Sequence, residues 1–188
     1  MRLGNLIVLV VLSFLAFFAP IANAGYLAAG GGYGGEGEQE SISFETGEFD
    51  IDVGDLDLLL AVGFPIIPYG DQNLPNDTIE AECPNDDCVD DGTEYKGTEM
   101  GGYAKIGIRF FFDSLYLNLI GGATVVTESE IFYSSATDRY YEDDTDTTIN
   151  ALYGIGFGFF PEIFDWQLVL MVDYDNRRGV TGLFGFYW

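Results

Sequence analysis

The chain closes on Val180-Thr181-Gly182-Leu183-Phe184-Gly185-Phe186-Tyr187-Trp188, and every second residue back from Trp188 is apolar or glycine. Period two marks a strand with two unlike faces. The pattern recurs upstream with an inverted sign. In 166–174, Trp166, Leu168, Leu170, Val172 and Tyr174 share one face, and Gln167, Val169, Met171 and Asp173 share the other. In 151–160, Ala151, Tyr153, Ile155, Phe157 and Phe159 oppose Leu152, Gly154, Gly156 and Gly158. A soluble sheet buries its bulky apolar face and wets the polar one. Here the uniform face is bulky and the opposite face is small or polar, so the sheet reads as inside out. Eight rises of about 3.3 Å, tilted by about 40°, cover roughly 20 Å, close to the apolar band of a membrane-spanning barrel. Trp166, Tyr174 and Tyr153 are then expected in its aromatic girdles.

Residues 103–126 predict a hairpin. Ile106, Ile108, Phe110 and Phe112 alternate with Tyr103, Lys105, Gly107 and Arg109. After an Asp113-Ser114 turn, Leu115, Leu117, Leu119, Gly121 and Ala123 resume the apolar face, opposite Tyr116, Asn118 and Thr124. Tyr26 to Tyr33 reads as a first strand, with Leu27, Ala29, Gly31 and Tyr33 outward. Leu56 to Ile66 reads as another, with Asp57 on its inner face. These make seven strands, and both ends of a bacterial single-chain barrel return to one side only with an even count. The eighth is placed at about 42–53, where Phe49, Ile51 and Val53 alternate with Asp50 and Asp52 before a Gly54-Asp55 turn. A rival arrangement has one strand at 49–64 and a short one near 78–81. The fold class expected is therefore an all-β, up-and-down antiparallel barrel of eight strands.

Charge follows the same segmentation. The chain carries 31 acidic and 7 basic residues, a net charge of -24, yet 48% of it is hydrophobic. Of the acids, 22 fall in 34–49, 68–100 and 127–148, read as long acidic external loops joining apolar strands. So acidic a chain is not expected to bind nucleic acid. The other end carries an export signal: Arg2, an apolar run from Leu6 to Ala19, and Ala22-Asn23-Ala24 as a cleavage site. Residues 1–24 are expected to be removed, leaving 25–188 as one barrel domain. Export implies an oxidising compartment, so Cys83 and Cys88 are expected to form a disulfide.

Export signal, about eight alternating strands and a C-terminal aromatic together resemble the small bacterial outer-membrane β-barrels, the OmpA-type transmembrane barrels and their relatives. The resemblance covers residues 25–188 as an architecture. It implies an outer-membrane location and contact with outer-membrane lipid and lipopolysaccharide. It also implies that Phe184, Phe186 and Trp188 are the signal read by the barrel-assembly machinery.

The chain has no histidine. Acyl-transfer and protease chemistry that uses a histidine base is thereby excluded, and no enzyme activity and no cofactor are expected. The nearest calcium-loop match, Asp87 to Thr98, has Val89 and Thr98 where oxygen ligands are required. Divalent cations are expected at most diffusely, at Asp86, Asp87, Asp90 and Asp91 or at Glu142, Asp143, Asp144 and Asp146; no defined metal site is assigned. Inside the barrel, Lys105, Arg109, Asp57 and Asp173 are expected to pair, with Tyr116 and Asn118 nearby, because lone charges in a narrow lumen are costly. Two functions follow: a structural or surface-interaction barrel with a lumen plugged by side chains, or a small passive pore or apolar-ligand barrel.

Overall fold

A computed structural model describes residues 25–36, 38–70, 78–81, 83, 88–110, 114–163 and 166–187. The strands are β1 (Tyr26–Gly34), β2 (Gln39–Val53), β3 (Leu56–Gly70), β4 (Ile79–Glu80), β5 (Cys88–Arg109), β6 (Leu115–Ser134), β7 (Arg139–Phe159), β8 (Glu162–Ile163), β9 (Trp166–Asp175) and β10 (Gly179–Tyr187). Eight of them close a ring in the order β1-β2-β3-β5-β6-β7-β9-β10, with β10 back on β1. Every ring pairing is antiparallel. The two-residue strands β4 and β8 add to β7 and β9. Closure removes the free edges that an open sheet would expose.

The inverted pattern is realised in space. Leu27, Leu60, Ile106, Leu119, Phe157, Val172 and Phe184 are exposed on the outer wall, while Tyr26, Leu59, Lys105, Asn118, Asp173 and Thr181 are buried inside. Tyr26 pairs with Tyr187, so both described ends lie at one rim, with the Gly54–Asp55 turn and residues 160–163. Residues 35–36 and the short turns 135–138 and 176–178 lie at the other. Phe112, Asp113, Trp188 and residues 1–24, expected to be an export signal, fall outside the described residues.

Two expectations are corrected. The alternation of Phe49 with Ile51 and Val53 is broken by a bulge between Glu48 and Ile51, where Asp50 takes a left-handed φ of 61°. One extra residue reverses the face on one side of a bulge. Phe49 is therefore buried inside, while Val53 stays exposed. Asp is among the few residues that tolerate this backbone.

Second, 34–49 and 127–148 are strand rather than loop over most of their length. β5 pairs with β3 only as far as Gly97, and β7 with β9 only from Gly154. Pairing of β5 with β6 nevertheless runs on to Cys88 opposite Ser134, and β6 with β7 to Ser134 opposite Arg139. Three strands thus rise beyond the ring as one sheet. Threonine, tyrosine and isoleucine interleaved with the acids favour this extended pairing, a signal masked by the charge count.

Candidate functional site: the barrel interior

The interior is layered. Nearest the rim that carries both ends, an aromatic layer forms from Phe49, Phe160, Tyr116, Tyr26 and Tyr187, with Phe49 and Phe160 ring centroids 4.3 Å apart. Phe160 reaches it from the turn after β7, its ring lying over Gly158, where a Cβ would come within 2.9 Å. Below this layer, at the open rim, Arg109 pairs with Asp50 and, at 3.1 Å, with Asp57. Tyr116 donates its hydroxyl to Asp50.

Above the aromatics lies an ionic layer. Lys105 Nζ stands 2.7 Å from Glu45 Oε2 and 2.9 Å from Asp173 Oδ2, all three side chains fully buried. Tyr26 and Tyr103 donate their hydroxyls to the two oxygens of Glu45, at 2.6 and 2.8 Å. Arg178 enters from the β9–β10 turn. Its Nε donates to Asp175 at 2.6 Å and its Nη1 to Ser43 Oγ at 3.0 Å, with the guanidinium 4.3 Å from the Tyr103 ring centroid. Each buried charge here meets an opposite charge and further hydrogen bonds, the condition under which buried ions are tolerated.

Nearer the other end, past Tyr174 and Tyr153, Arg177 donates to both oxygens of Glu99, from Nε at 2.8 Å and Nη2 at 2.7 Å. This two-pronged geometry is the strong form of a guanidinium–carboxylate pair. Tyr69 and Thr124 also donate to Glu99, and Arg177 reaches Glu36 in the β1–β2 turn. Asn176, the first residue of the β9–β10 turn, donates its amide to Ala151 O and accepts from Tyr153 N, both at 2.9 Å. Three consecutive residues thus tie one turn to the β1–β2 turn, β2, β3, β5 and β7.

The four lumen residues named from sequence fall in two separate groups. Lys105 meets Asp173 deep inside, whereas Arg109 meets Asp57 at the half-open rim. Asn118 is fully buried, yet neither its amide nitrogen nor its oxygen has a partner among the described residues. The sequence reading missed Glu45, Glu99, Asp175, Arg177 and Arg178. Glu45 had a usable signal, since Ser41, Ser43 and Glu45 alternate with Ile42 and Phe44. So did the arginine pair, standing in a three-residue turn of a chain with seven basic residues in all.

Trp166, Tyr174 and Tyr153 face outward, as do Phe184 and Phe186 of the closing strand. Cys83 and Cys88 form a disulfide with Cα atoms 6.4 Å apart. Among the described residues no group of three or more histidine, cysteine, aspartate or glutamate side chains is placed to hold a metal ion.

No protein-family model matches the chain, and no curated protein matches it in sequence. Among solved structures, the chain is similar to Ail, the attachment invasion locus protein of Yersinia pestis, with a TM-score of 0.42 and 13% identity over 87% of this chain and 91% of that one. Ail in complex with the heparin analogue sucrose octasulfate gives a TM-score of 0.41 and 14% identity over 87% and 92%.

Proposed function

We propose that the chain is a bacterial outer-membrane barrel of the surface-interaction type, with a lumen closed by its own side chains. One observation carries the reading: a closed eight-stranded ring presents Leu, Ile, Phe and Val outward and ion pairs inward. In water that arrangement would expose a continuous apolar girdle, far beyond the patches of a soluble monomer. In a bilayer the same girdle is solvated by lipid, and closure satisfies the backbone. The rim bearing both ends and the Gly54–Asp55 turn faces the periplasm. The opposite rim, with the three-stranded extension and its acids, faces outward, where lipopolysaccharide and diffusely held divalent cations are its neighbours. The buried ionic and aromatic layers favour closure over a conducting pore, since eight strands leave an interior just wide enough for side chains to fill.

The barrel folded in vesicles is expected to migrate differently on gels before and after boiling, and to be silent in planar bilayers. Failure to fold in lipid would sink the location; steady conductance of the wild type would sink the closed lumen. Leu170→Arg, in the middle of the outer face of β9, is expected to cost about 2–4 kcal/mol in urea titrations of vesicle-folded protein. A cost near zero would mean that this face does not meet lipid.

Phe184, Phe186 and Trp188 form the assembly signal in this reading, and residues 1–24 the cleaved export signal. Removing 186–188 is expected to leave the chain in the periplasm, open to proteolysis. Protease accessibility at the surface of whole cells checks this, and normal surface display of the truncated chain would refute it.

A further inference from the structure

We infer that the lumen binds a water molecule on the inner wall of β1, at Gly32, where it completes the hydrogen bonding of Arg178. The site needs only the ring and its inward-turned arginine, and does not depend on the membrane location. Three buried polar atoms have no hydrogen-bond partner among the described residues: Ser41 Oγ, Thr181 Oγ1 and Arg178 Nη2. Register brings them together. Ser41 on β2 and Thr181 on β10 are the two cross-strand partners of Gly32. Gly30, two positions away on the same inner face, lies between Ser43 and Leu183. The Arg178 guanidinium spans this bare stretch of wall. Its Nη1 donates to Ser43 Oγ at 3.0 Å on one side. On the other, its Nη2 stands 3.6 Å from Oδ2 of Asp173, the residue directly opposite Thr181.

The wall provides the room. β2 and β10 lie two strand spacings apart, about 9.5 Å, and Gly32 puts no side chain between them. Thr181 Oγ1 leans into that gap, so that a Cβ on Gly32 would collide with it. A bridging water spans about 5.6 Å between two partners, which suits a gap narrowed in this way. Charge then selects the occupant. An arginine N–H aimed at the site repels a metal cation. An anion is disfavoured too, because three buried carboxylates, Glu45, Asp173 and Asp175, already outnumber Lys105 and Arg178 in this layer. A small neutral molecule that both accepts and donates fits. Water accepts from Arg178 Nη2 and bonds the hydroxyls of Ser41 and Thr181, three bonds being the usual number for a buried water. It thereby spares three buried groups the cost of going unpaired.

The test is a crystal structure of the detergent-folded barrel at a resolution that shows ordered water, with a second crystal soaked in bromide. Density within hydrogen-bond distance of Ser41 Oγ, Thr181 Oγ1 and Arg178 Nη2 is expected, without anomalous signal from bromide. An anomalous peak there would make the occupant an anion and overturn the inference. So would a site without density, or Arg178 Nη2 bonded directly to a carboxylate or to Thr181. Thr181→Val and Ser41→Ala supply a measurement in solution. Each removes one hydroxyl with little change of shape, and each is expected to lower the folding equilibrium constant in urea titrations by roughly two- to tenfold, as one bridged hydrogen bond is lost. A rise in that constant for both variants would mean that the hydroxyls are buried unpaired, and the water would be refuted. A wild-type barrel that conducts steadily yet shows the water in place would overturn the closed lumen and leave this site standing.

Discussion

Lys105→Ala is expected to destabilise the folded barrel by about 3–5 kcal/mol, the cost of leaving buried carboxylates without their counter-charge. Lys105 stands between Glu45 and Asp173, and all three side chains are fully buried. Removing the ammonium strands two carboxylates beside each other, with only Tyr26, Tyr103 and Arg178 left to stabilise them. Arg109→Ala is the comparison. Its pairs with Asp50 and Asp57 sit at the rim, with side chains a quarter to a half exposed, and its loss is expected to cost about 0–1 kcal/mol. Urea titrations of both variants in vesicles measure the difference. Equal costs would mean that water reaches the Lys105 layer, in which case the lumen is not closed there.

Phe160→Ala is expected to cost about 3–5 kcal/mol through lost burial and the cavity left behind. Phe160 is 2% exposed and touches Phe49, Tyr26 and Tyr116 at ring-centroid distances of 4.3, 5.8 and 5.3 Å. No neighbouring side chain can collapse into its place easily, because the wall beneath it is Gly158. Phe159→Ala, one residue away with its ring on the outer wall, is expected to cost less. The same titrations compare them. If Phe159 proved the costlier of the two, the faces of β7 would be reversed.

Much of this architecture is legible in one dimension. The outward faces of β1, β3, β5, β6, β7, β9 and β10 follow from strict alternation, because the side-chain period of a strand is two and admits no intermediate answer. β2 resisted over 49–53 because its bulge adds one residue, and nothing in Phe49-Asp50-Ile51 signals a left-handed backbone at Asp50. Its effect is large all the same, since it moves Phe49 from the outer wall into the aromatic layer.

The acidic stretches show the opposite failure. Charge density suggested loops, yet cross-strand pairing of Thr127 with Thr147 and Tyr133 with Tyr140 continues the sheet through them. Once a hairpin is anchored in the ring, further pairing extends a preformed ladder, and solvated acids do not oppose it strongly.

The sequence by itself determined the class of this protein: alternating strands with the bulky face outward, an even count, one disulfide, and no histidine for catalysis. Such properties depend only on neighbours along the chain, and a period-two pattern records them directly. The tertiary structure alone decided which charges meet. Lys105 finds Glu45 across a separation of 60 positions, and Arg177 finds Glu99 from a turn 78 positions away. Those partnerships depend on the shear of the closed ring, which sets the height at which each strand presents its inner residues, and a local pattern carries no record of that height.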